Sequence, residues 1–199
     1  MRAVSSPSER LETSRLVLWE NRPGLGFGVN SEMSRSSIAF AAIEKDRTRM
    51  SRFLPWVSFT NSVKDSEDYL VQCLKNREKF EGFDYGIYLK NGDFIGNIGL
   101  HTVSRVSARA ELGYWISGAH EGHGYISEAV RTLSLSCFEA HFHRLEIRCN
   151  AENLRSDYVA RSTGFQLEGE LREDCLECGS WRNTRIYGLL DSDRTNSLN

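Results

Sequence analysis

The sequence predicts a mixed α/β (α+β) fold in a single domain, with a mostly antiparallel sheet that contains one parallel pair. A chain of 199 residues suits one such domain and can bury a substantial core. The dipeptide Asn91-Gly92 tolerates positive φ and separates two strand-like runs, which predicts a tight hairpin. The amphipathic segment 126–140 separates two further strand-like runs, which predicts a βαβ crossover and therefore a parallel pair.

The individual elements follow from apolar periodicity and from the residues that bound each run. The strand-like segments are 15–19, 83–89, 93–100, 108–116, 143–149, 165–172 and 180–190, so a sheet of about seven strands is expected. Helical spacing predicts helices at 37–53, 66–80 and 126–140. Asn153 is a plausible N-cap for a further short helix that ends before Gly164. These helices are expected to flank the central sheet.

Composition and termini limit the function classes. Hydrophobic residues make up 40% of the chain and the formal net charge is -2, so no global basic field favours direct binding of nucleic acid. The first ten residues lack an apolar signal region, and no run approaches the roughly 20 apolar residues of a membrane span. A cytoplasmic location without a membrane partner is therefore expected. We predict one domain at 13–190 between mobile polar tails at 1–12 and 191–199.

The five cysteines are an odd number without dense, regular spacing, which favours mostly reduced thiols over a disulfide framework. Cys175 and Cys178 form half of a zinc pattern. No second such pair follows, so coincidence at a hairpin end is the favoured interpretation and no metal is expected.

The segment 117–124 reads Ser-Gly-Ala-His-Glu-Gly-His-Gly and joins a predicted strand to a predicted helix. Without bulky side chains, backbone N–H groups can converge on a ligand, and the helix adds its positive N-terminal end. The segment is neither a Walker A loop, which ends in Gly-Lys-Ser/Thr, nor the spaced G-x-G-x-x-G of dinucleotide folds. Alone, it predicts an anion cradle about as well as it predicts a simple connection.

Five segments stand in order along the chain. They are Glu-Leu-Gly-Tyr-Trp-Ile (111–116), Glu-Gly-His-Gly-Tyr (121–125), Ser-Glu-Ala (127–129), Asn-Ala-Glu-Asn-Leu-Arg-Ser (150–156) and Thr-Gly-Phe-Gln-Leu-Glu-Gly (163–169). Together they resemble successive motifs of the GNAT acetyltransferases, most closely the RimJ/RimL-type branch, which is known for acetylating protein N-termini. Several linked motifs at compatible separations rarely arise together by chance. The resemblance covers about 13–190 and implies the GNAT fold, with a splayed parallel pair.

The resemblance implies acetyl-CoA as co-substrate. Its pyrophosphate would lie on the loop at 121–126, and its pantetheine beside strand 111–116, where that strand splays from 143–149. The cofactor-binding residues expected on this basis are Trp115, Ile116, Glu121, Gly122, His123, Gly124, Tyr125, Ile126, Asn153 and Ser156. An acid at 121 would weaken pyrophosphate binding unless its carboxylate points away.

The resemblance also assigns Ser156 as the proton donor to the departing thiolate. The alternative for Ser156 is ordinary helix capping or surface exposure. Asn153 has two compatible roles, as an N-cap and as an amide partner of the cofactor. For the general base we favour Glu111, whose strand opens at the splay; the alternative is a cross-strand ion pair with Arg109 or Arg148.

The sequence therefore predicts an N-acetyltransferase that moves an acetyl group from acetyl-CoA to a primary amine by direct attack in a ternary complex. An N-terminal α-amine has a reference pKa near 7.7–8.0, against about 10.4 for lysine, and so loses its proton more easily. The expected acceptor is the N-terminus of a protein or peptide, of the ribosomal-protein type. Related N-terminal acetyltransferases can also use an acid after the Gly-Phe-x-x-Glu-Gly segment, where this chain has Cys175.

Other functions stay open at this point. The acceptor could be a small amine or a peptide antibiotic, as in detoxification. The chain could also be a non-catalytic acyl-CoA-binding module, or a metal-dependent binding protein that uses the cysteine pair. Exposed strands at 165–172 and 180–190 would permit a homodimer.

Overall fold

The computed structural model describes residues 3–177 and 179–194, which form one eight-stranded sheet with helices on both faces. The strands are β1 (Arg10–Glu12), β2 (Leu16–Glu20), β3 (Phe83–Leu89), β4 (Phe94–Ser104), β5 (Arg109–Ile116), β6 (Arg144–Asn150), β7 (Gln166–Glu177) and β8 (Ser180–Leu190). The α-helices are α1 (Arg35–Met50), α2 (Val63–Lys79), α3 (Tyr125–Glu139) and α4 (Leu154–Ser162). Every predicted strand and helix is confirmed, and β1 is an additional strand.

The sheet has the order β1-β2-β3-β4-β5-β6-β8-β7, and β5 and β6 are its parallel neighbours. Their parallel pairing is short and ends at the pair Leu112 and Ile147. Beyond it, β5 continues beside β4 to Ile116, whereas β6 continues beside β8 to Asn150. Because each strand follows a different neighbour, the two diverge and leave a gap in the sheet. The predicted splay is confirmed.

The apolar stripe of helix α3 packs the helix against the sheet. The predicted stripe is buried along its length; its members include Ile126, Ala129, Val130, Leu133 and Cys137. Burying an aliphatic side chain of this size stabilises the fold by about 1.5–3 kcal/mol. Helices α3 and α4 pack against one face of the sheet, and α1 and α2 pack against the other. Different helices therefore cover the two faces of the sheet around the gap.

The tail predicted at 1–12 needs a correction. Arg10–Glu12 pairs with β2, and the Ser5 amide donates to the Ala140 carbonyl at 2.9 Å. The hydroxyl of the buried Tyr85 donates to the carbonyl oxygen of Ser8 at 2.9 Å. A buried hydroxyl needs a partner, and the backbone of this segment supplies it. The predicted C-terminal tail begins with a short 3-10 turn at Asp191–Asp193, and residues 195–199 lie outside the described residues.

The four described cysteines, Cys73, Cys137, Cys149 and Cys175, are free thiols. Cys178, the second cysteine of the half zinc pattern, lies outside the described residues. Among residues 3–177 and 179–194, no group of three or more His, Cys, Asp or Glu side chains could hold a metal ion. No helix in the same ranges is long and apolar enough to cross a membrane.

Candidate active site

The loop between β5 and α3 forms an open cradle of backbone amides. Gly122 and Gly124 have φ angles of 79° and 76°, in the left-handed region that favours glycine. A Cβ on Gly122 would meet no atom within 4 Å, so backbone conformation rather than crowding requires glycine there. Helix α3 begins without a side-chain cap, and in the described part of the chain the amides of residues 122–127 have no acceptor. The cradle thus presents successive donors and a positive helix end to an anion.

Arg15 braces this cradle from the side of the sheet. Its Nη1 donates to the His123 carbonyl at 3.0 Å, and its Nε donates to Glu128 Oε2 at 2.6 Å. Its guanidinium also lies 4.8 Å from the centroid of the Tyr125 ring, which stacks on His123. These contacts hold the loop through a carbonyl and two rings, and they leave the amide donors free.

Two arginines neutralise the Glu121 carboxylate. Its Oε1 accepts from Arg49 Nη1 at 2.5 Å, and its Oε2 accepts from Arg155 in the first turn of α4. Arg49 lies on α1 and also donates to the Ile116 carbonyl at 2.7 Å, which ties α1 to the end of β5. The negative charge that the sequence places beside the cradle is therefore compensated.

A cavity of about 270 Å³ occupies the gap between β5 and β6. Asn153 Oδ1 accepts from the Ser156 amide at 3.2 Å, so its predicted role as the N-cap of α4 is confirmed. Ser156 keeps its hydroxyl free of capping and holds it 2.9 Å from the hydroxyl of Tyr114. Both residues line the cavity, and Tyr114 is a site residue that the sequence analysis missed.

The protonation of this hydroxyl pair follows from burial. Burial raises the pKa of the Tyr114 hydroxyl, although its hydrogen bond with Ser156 acts in the opposite direction. Burial also raises the pKa of the Cys149 thiol, which lines the same cavity. All three groups therefore carry their protons at neutral pH. The Tyr114 and Ser156 hydroxyls can supply a proton to a leaving group in the gap.

A second cavity, of about 480 Å³, lies on the opposite face of β5 beneath α1 and α2. Its walls are rich in aromatic rings, which are Trp56, Phe59, Tyr69, Tyr88, Phe94, Tyr114 and Trp115. The Trp115 ring packs 5.7 Å from Phe94 and 6.2 Å from Trp56, measured between centroids. The side chain of Trp115 thus lines this cavity, because side chains alternate along β5 and Trp115 points to the face opposite to that of Tyr114. Only its backbone is left for the predicted cofactor contact.

The two cavities open onto the same point of the sheet. Leu54, Gly113 and Tyr114 line both of them. Gly113 is also the first residue of β5 beyond the last parallel pair with β6. Two molecules entering from opposite faces can therefore meet there, in the geometry that a direct group transfer requires.

Hydrogen bonds connect polar side chains along the floor of the second cavity. Asn21 Nδ2 donates to Asn97 Oδ1 at 2.7 Å, and Asn97 Nδ2 donates to the Tyr69 hydroxyl at 3.0 Å. Tyr69 in turn donates to Asp84 Oδ1 at 3.1 Å. Burial raises the pKa of the Asp84 carboxyl, whereas His101 acts to lower it. This network could not be predicted from the sequence, because its members come from separate parts of the chain.

Glu111, the predicted base, lines neither of the two cavities, whereas its cross-strand neighbour His101 lines the second. Burial raises the pKa of the Glu111 carboxyl, and the charges of Arg148 and His101 act to lower it. Neither arginine considered as an ion-pair partner pairs with it. Their carboxylate partners are Asp174, 3.1 Å from Arg148, and Glu146, 3.7 Å from Arg109.

Comparisons with known proteins agree with this architecture. The family model of the acetyltransferase (GNAT) domain matches residues 31–166. A ribosomal-protein-serine acetyltransferase of Escherichia coli (strain K12) is 28% identical over 155 residues, which cover 77% of this chain and 86% of that protein. A probable N-acetyltransferase of Bacillus subtilis (strain 168), YjcK, is 30% identical over 135 residues, which cover 66% of this chain and 75% of that protein.

A solved structure shares the fold. It is RimL, a ribosomal alpha-N-protein acetyltransferase in complex with coenzyme A, and it has a TM-score of 0.81 at 18% identity over 92% of this chain and 98% of that one. The resemblance found in the motifs and the predicted co-substrate, acetyl-CoA, are confirmed. The chain belongs to the GNAT acetyltransferases and is an acetyl-CoA-dependent N-acetyltransferase.

Proposed function

We propose that the acceptor is the α-amine at the N-terminus of a protein or peptide, and that the acetyl group passes directly in a ternary complex. The observation that carries this proposal is the meeting of the two cavities at Gly113, with the amide cradle on one side and the aromatic cavity on the other. The relative named as a ribosomal-protein-serine acetyltransferase supports this class of acceptor. A cavity of about 480 Å³ also falls in the range of ligands larger than a simple amine.

In this proposal the cradle binds the pyrophosphate of acetyl-CoA. The backbone amides from Gly122 through Ile126, including those of His123, Gly124 and Tyr125, donate to phosphate oxygens. Each such charge-assisted bond contributes on the order of 1.5–3 kcal/mol. Glu121 lies beside the bound phosphates, and its ion pairs with Arg49 and Arg155 limit the repulsion between its carboxylate and those phosphates.

The pantetheine arm then runs through the gap between β5 and β6. The backbone of Trp115 and Ile116 flanks it on one side. Asn153, whose side-chain oxygen caps α4, keeps its side-chain Nδ2 for the cofactor amides on the other side. The thioester is thereby brought next to Gly113.

The reaction needs two proton movements. The acceptor nitrogen attacks the thioester carbonyl carbon, the new C–N bond forms and the C–S bond breaks. The departing sulfur takes a proton from the Ser156 hydroxyl, and the Tyr114 hydroxyl can replace that proton through their shared hydrogen bond. Glu111 does not line either cavity, so it acts on the acceptor indirectly, through His101.

The proposal is tested by CoA release with acetyl-CoA across peptides beginning with Ser or Ala, their N-acetylated twins, lysine peptides and small amines. Mass spectrometry locates the added acetyl group. We expect release with free N-termini and none with the blocked twins. Turnover confined to small amines or a peptide antibiotic would replace the proposed acceptor. Acetyl-CoA binding without any turnover would favour a non-catalytic module.

A homodimer and a cytoplasmic location remain predictions. The edge strand β7 and its partner β8 expose Leu171, Leu176 and Trp181, which supports an association at this edge. Light scattering at two protein concentrations gives the oligomeric state. A monomer at both would exclude the dimer.

A further inference from the structure

The imidazole of His101 lies over Gly113, at the point where the two cavities meet. A Cβ added to Gly113 would stand 3.3 Å from His101 Cδ2 and 3.4 Å from its Nε2, which is closer than an ordinary contact. Glycine at this position therefore leaves room for the ring. The side chain of His101 is 51% exposed, so it is accessible from the second cavity that it lines.

Two carboxylates flank the ring. Asp84 Oδ1 lies 3.8 Å from His101 Nε2, and Glu111 occupies the cross-strand position on β5. A Cβ on Gly99 would stand 2.3 Å from Asp84 Oδ1. Glycine on β4 thus allows the Asp84 side chain to lie across that strand towards His101. Glycines on neighbouring strands shape both sides of the cluster.

The same cavity contains an unpartnered polar group. Ser66 is 3% exposed, and within the described residues its hydroxyl has no hydrogen-bond partner. Burying an unpaired hydroxyl is unfavourable, so rotation of this Oγ towards the cavity would let it bond to a polar group of a ligand there. Aromatic walls alone would not select a polar ligand. The buried carboxylate of Asp84 and the Ser66 hydroxyl together fit a primary amine and the polar group next to it.

We propose that His101 takes the proton of the acceptor amine, and that Asp84 and Glu111 position the ring and stabilise its charged form; this rests on the proposed function. The N–H bond of the attacking nitrogen breaks as the C–N bond forms, and the proton moves to the imidazole. The ring then returns this proton to solvent, while the Tyr114 and Ser156 pair recovers the one it gave to sulfur. Imidazole is the side chain whose ordinary titration range includes neutral pH.

The groups that face the ring come from several elements. Asp84 belongs to β3 and Glu111 to β5, while Tyr69 of α2 bonds to Asp84 and Arg148 of β6 acts on Glu111. Burial raises the pKa of both carboxyls, and the charge of His101 acts to lower both. The charged ring and its flanking carboxylates therefore support each other. The pH dependence belongs to the cluster as a whole.

The first test measures kcat/KM against pH for His101→Gln at saturating acetyl-CoA. The matched control is His143→Gln, because His143 is an exposed histidine outside both cavities. We expect a loss of about 10²–10⁴-fold at neutral pH, with the acid limb of the profile abolished and acetyl-CoA affinity unchanged. Added imidazole should partly restore His101→Ala. A rate within threefold of wild type with the same profile would overturn the proposal.

The proposed roles of Asp84 and Glu111 are tested by a different feature of the pH profile, the midpoint of its acid limb. Asp84→Asn and Glu111→Gln remove negative charge beside the ring, so the midpoint of the acid limb should move to lower pH, with a smaller loss of kcat than in His101→Gln. A merely structural role would lower activity at every pH and leave the midpoint in place. That result would remove both residues from the proposal.

A binding experiment separates this inference from the proposed function. Calorimetry compares a free-amine Ser peptide with its N-acetylated twin on the enzyme saturated with CoA. We expect wild type to prefer the free amine about tenfold or more, and His101→Gln to lose that preference. If peptides bind with this preference but are not acetylated, the proposed function fails, and His101 is left with recognition of a free amine alone. If peptides turn over but neither rate nor preference depends on His101, the inference alone fails.

Discussion

The two faces of β5 present different kinds of polar group to the two cavities. On the cofactor side, the cradle and the start of α4 come from two short segments, 121–126 and 150–156, and the donors of the cradle are backbone amides. On the proposed acceptor side, the network of Asn21, Asn97, Tyr69 and Asp84 joins side chains from distant elements. A site built from backbone amides leaves a local signal in glycine spacing, whereas a network of side chains from distant strands and helices forms only when the sheet does.

On the cofactor side of β5, the largest effect should come from the hydroxyl pair in the gap. Ser156→Ala removes the proposed donor, and we expect kcat to fall about 10²-fold while acetyl-CoA affinity changes little. Ser162→Ala is a matched control, because Ser162 lies on the same helix and donates to the Val159 carbonyl at 3.1 Å. The fold-loss of kcat in the double variant Ser156→Ala with Tyr114→Phe should be smaller than the product of the two single fold-losses, because the pair shares one hydrogen bond. Full activity in Ser156→Ala would contradict the assignment.

A smaller effect is expected in the cradle. Gly124→Ala puts a residue with a Cβ into the left-handed backbone region, which is unfavourable by about 1–2 kcal/mol. The variant should therefore raise the Kd for acetyl-CoA about tenfold. Gly179→Ala is the control, since Gly179 has a φ of 77°, open space around its Cβ position and no place in the lining of either cavity. Both variants should lose stability, but only Gly124→Ala should lose affinity. Equal Kd values in calorimetry would show that the cradle does not hold the cofactor.

The charge beside the cradle should matter less. Glu121→Gln removes a carboxylate and frees Arg49 and Arg155 to face the pyrophosphate, so acetyl-CoA should bind about 2–5 times more tightly, within the range of exposed ion pairs. The gain should shrink as salt is added. Glu152→Gln, which breaks the exposed pair with Arg182, should leave the Kd unchanged. Weaker binding in Glu121→Gln would mean that the carboxylate holds the arginines in place for the cofactor.

The smallest effect concerns stability on the acceptor side. Burial raises the pKa of Asp84 in the folded chain, so the folded state binds this proton more tightly than the unfolded state does. This contribution to stability is therefore lost as pH rises from the ordinary carboxyl range through the raised value. Asp84→Asn cannot ionise and keeps an acceptor for Tyr69, so its Tm at pH 7.5 should exceed that of wild type by roughly 2–4 °C.

The same variant has a built-in control in pH. The difference in Tm should shrink as the pH falls through the raised value, and it should vanish below about 3.9, the ordinary carboxyl value, because both chains are then neutral at this position. A lower Tm for Asp84→Asn at pH 7.5 would show that the ionised carboxylate stabilises the fold. Greater stability with lower activity would mark Asp84 as a residue kept for function.

Local signals explain what the sequence could predict. Apolar periodicity predicted α1, α2 and α3. Helix α4 was predicted from its cap Asn153, whose partner, the Ser156 amide, is only three residues away. Strand β1 was missed because three residues, Arg-Leu-Glu, carry no strand pattern; pairing with β2 creates it. Stricter use of the period-two alternation in β5 would have placed Tyr114, and not the side chain of Trp115, beside Ser156.

Long-range contacts explain what the sequence could not predict. The arginines that neutralise Glu121 lie 72 and 34 residues from it along the chain, with no motif to connect them. Asp84 and His101 come together only through the register in which β3 and β5 flank β4. Register depends on the whole sheet, so neither position stands out in a single sequence.

The central claim is that the acetyl group passes directly from acetyl-CoA to an amine where the two cavities meet. Initial rates over a matrix of acetyl-CoA and N-terminal Ser peptide concentrations test it most directly. The account predicts intersecting double-reciprocal lines, because both substrates must be bound before CoA leaves. Parallel lines, with an acetyl group retained on the enzyme when peptide is withheld, would contradict it.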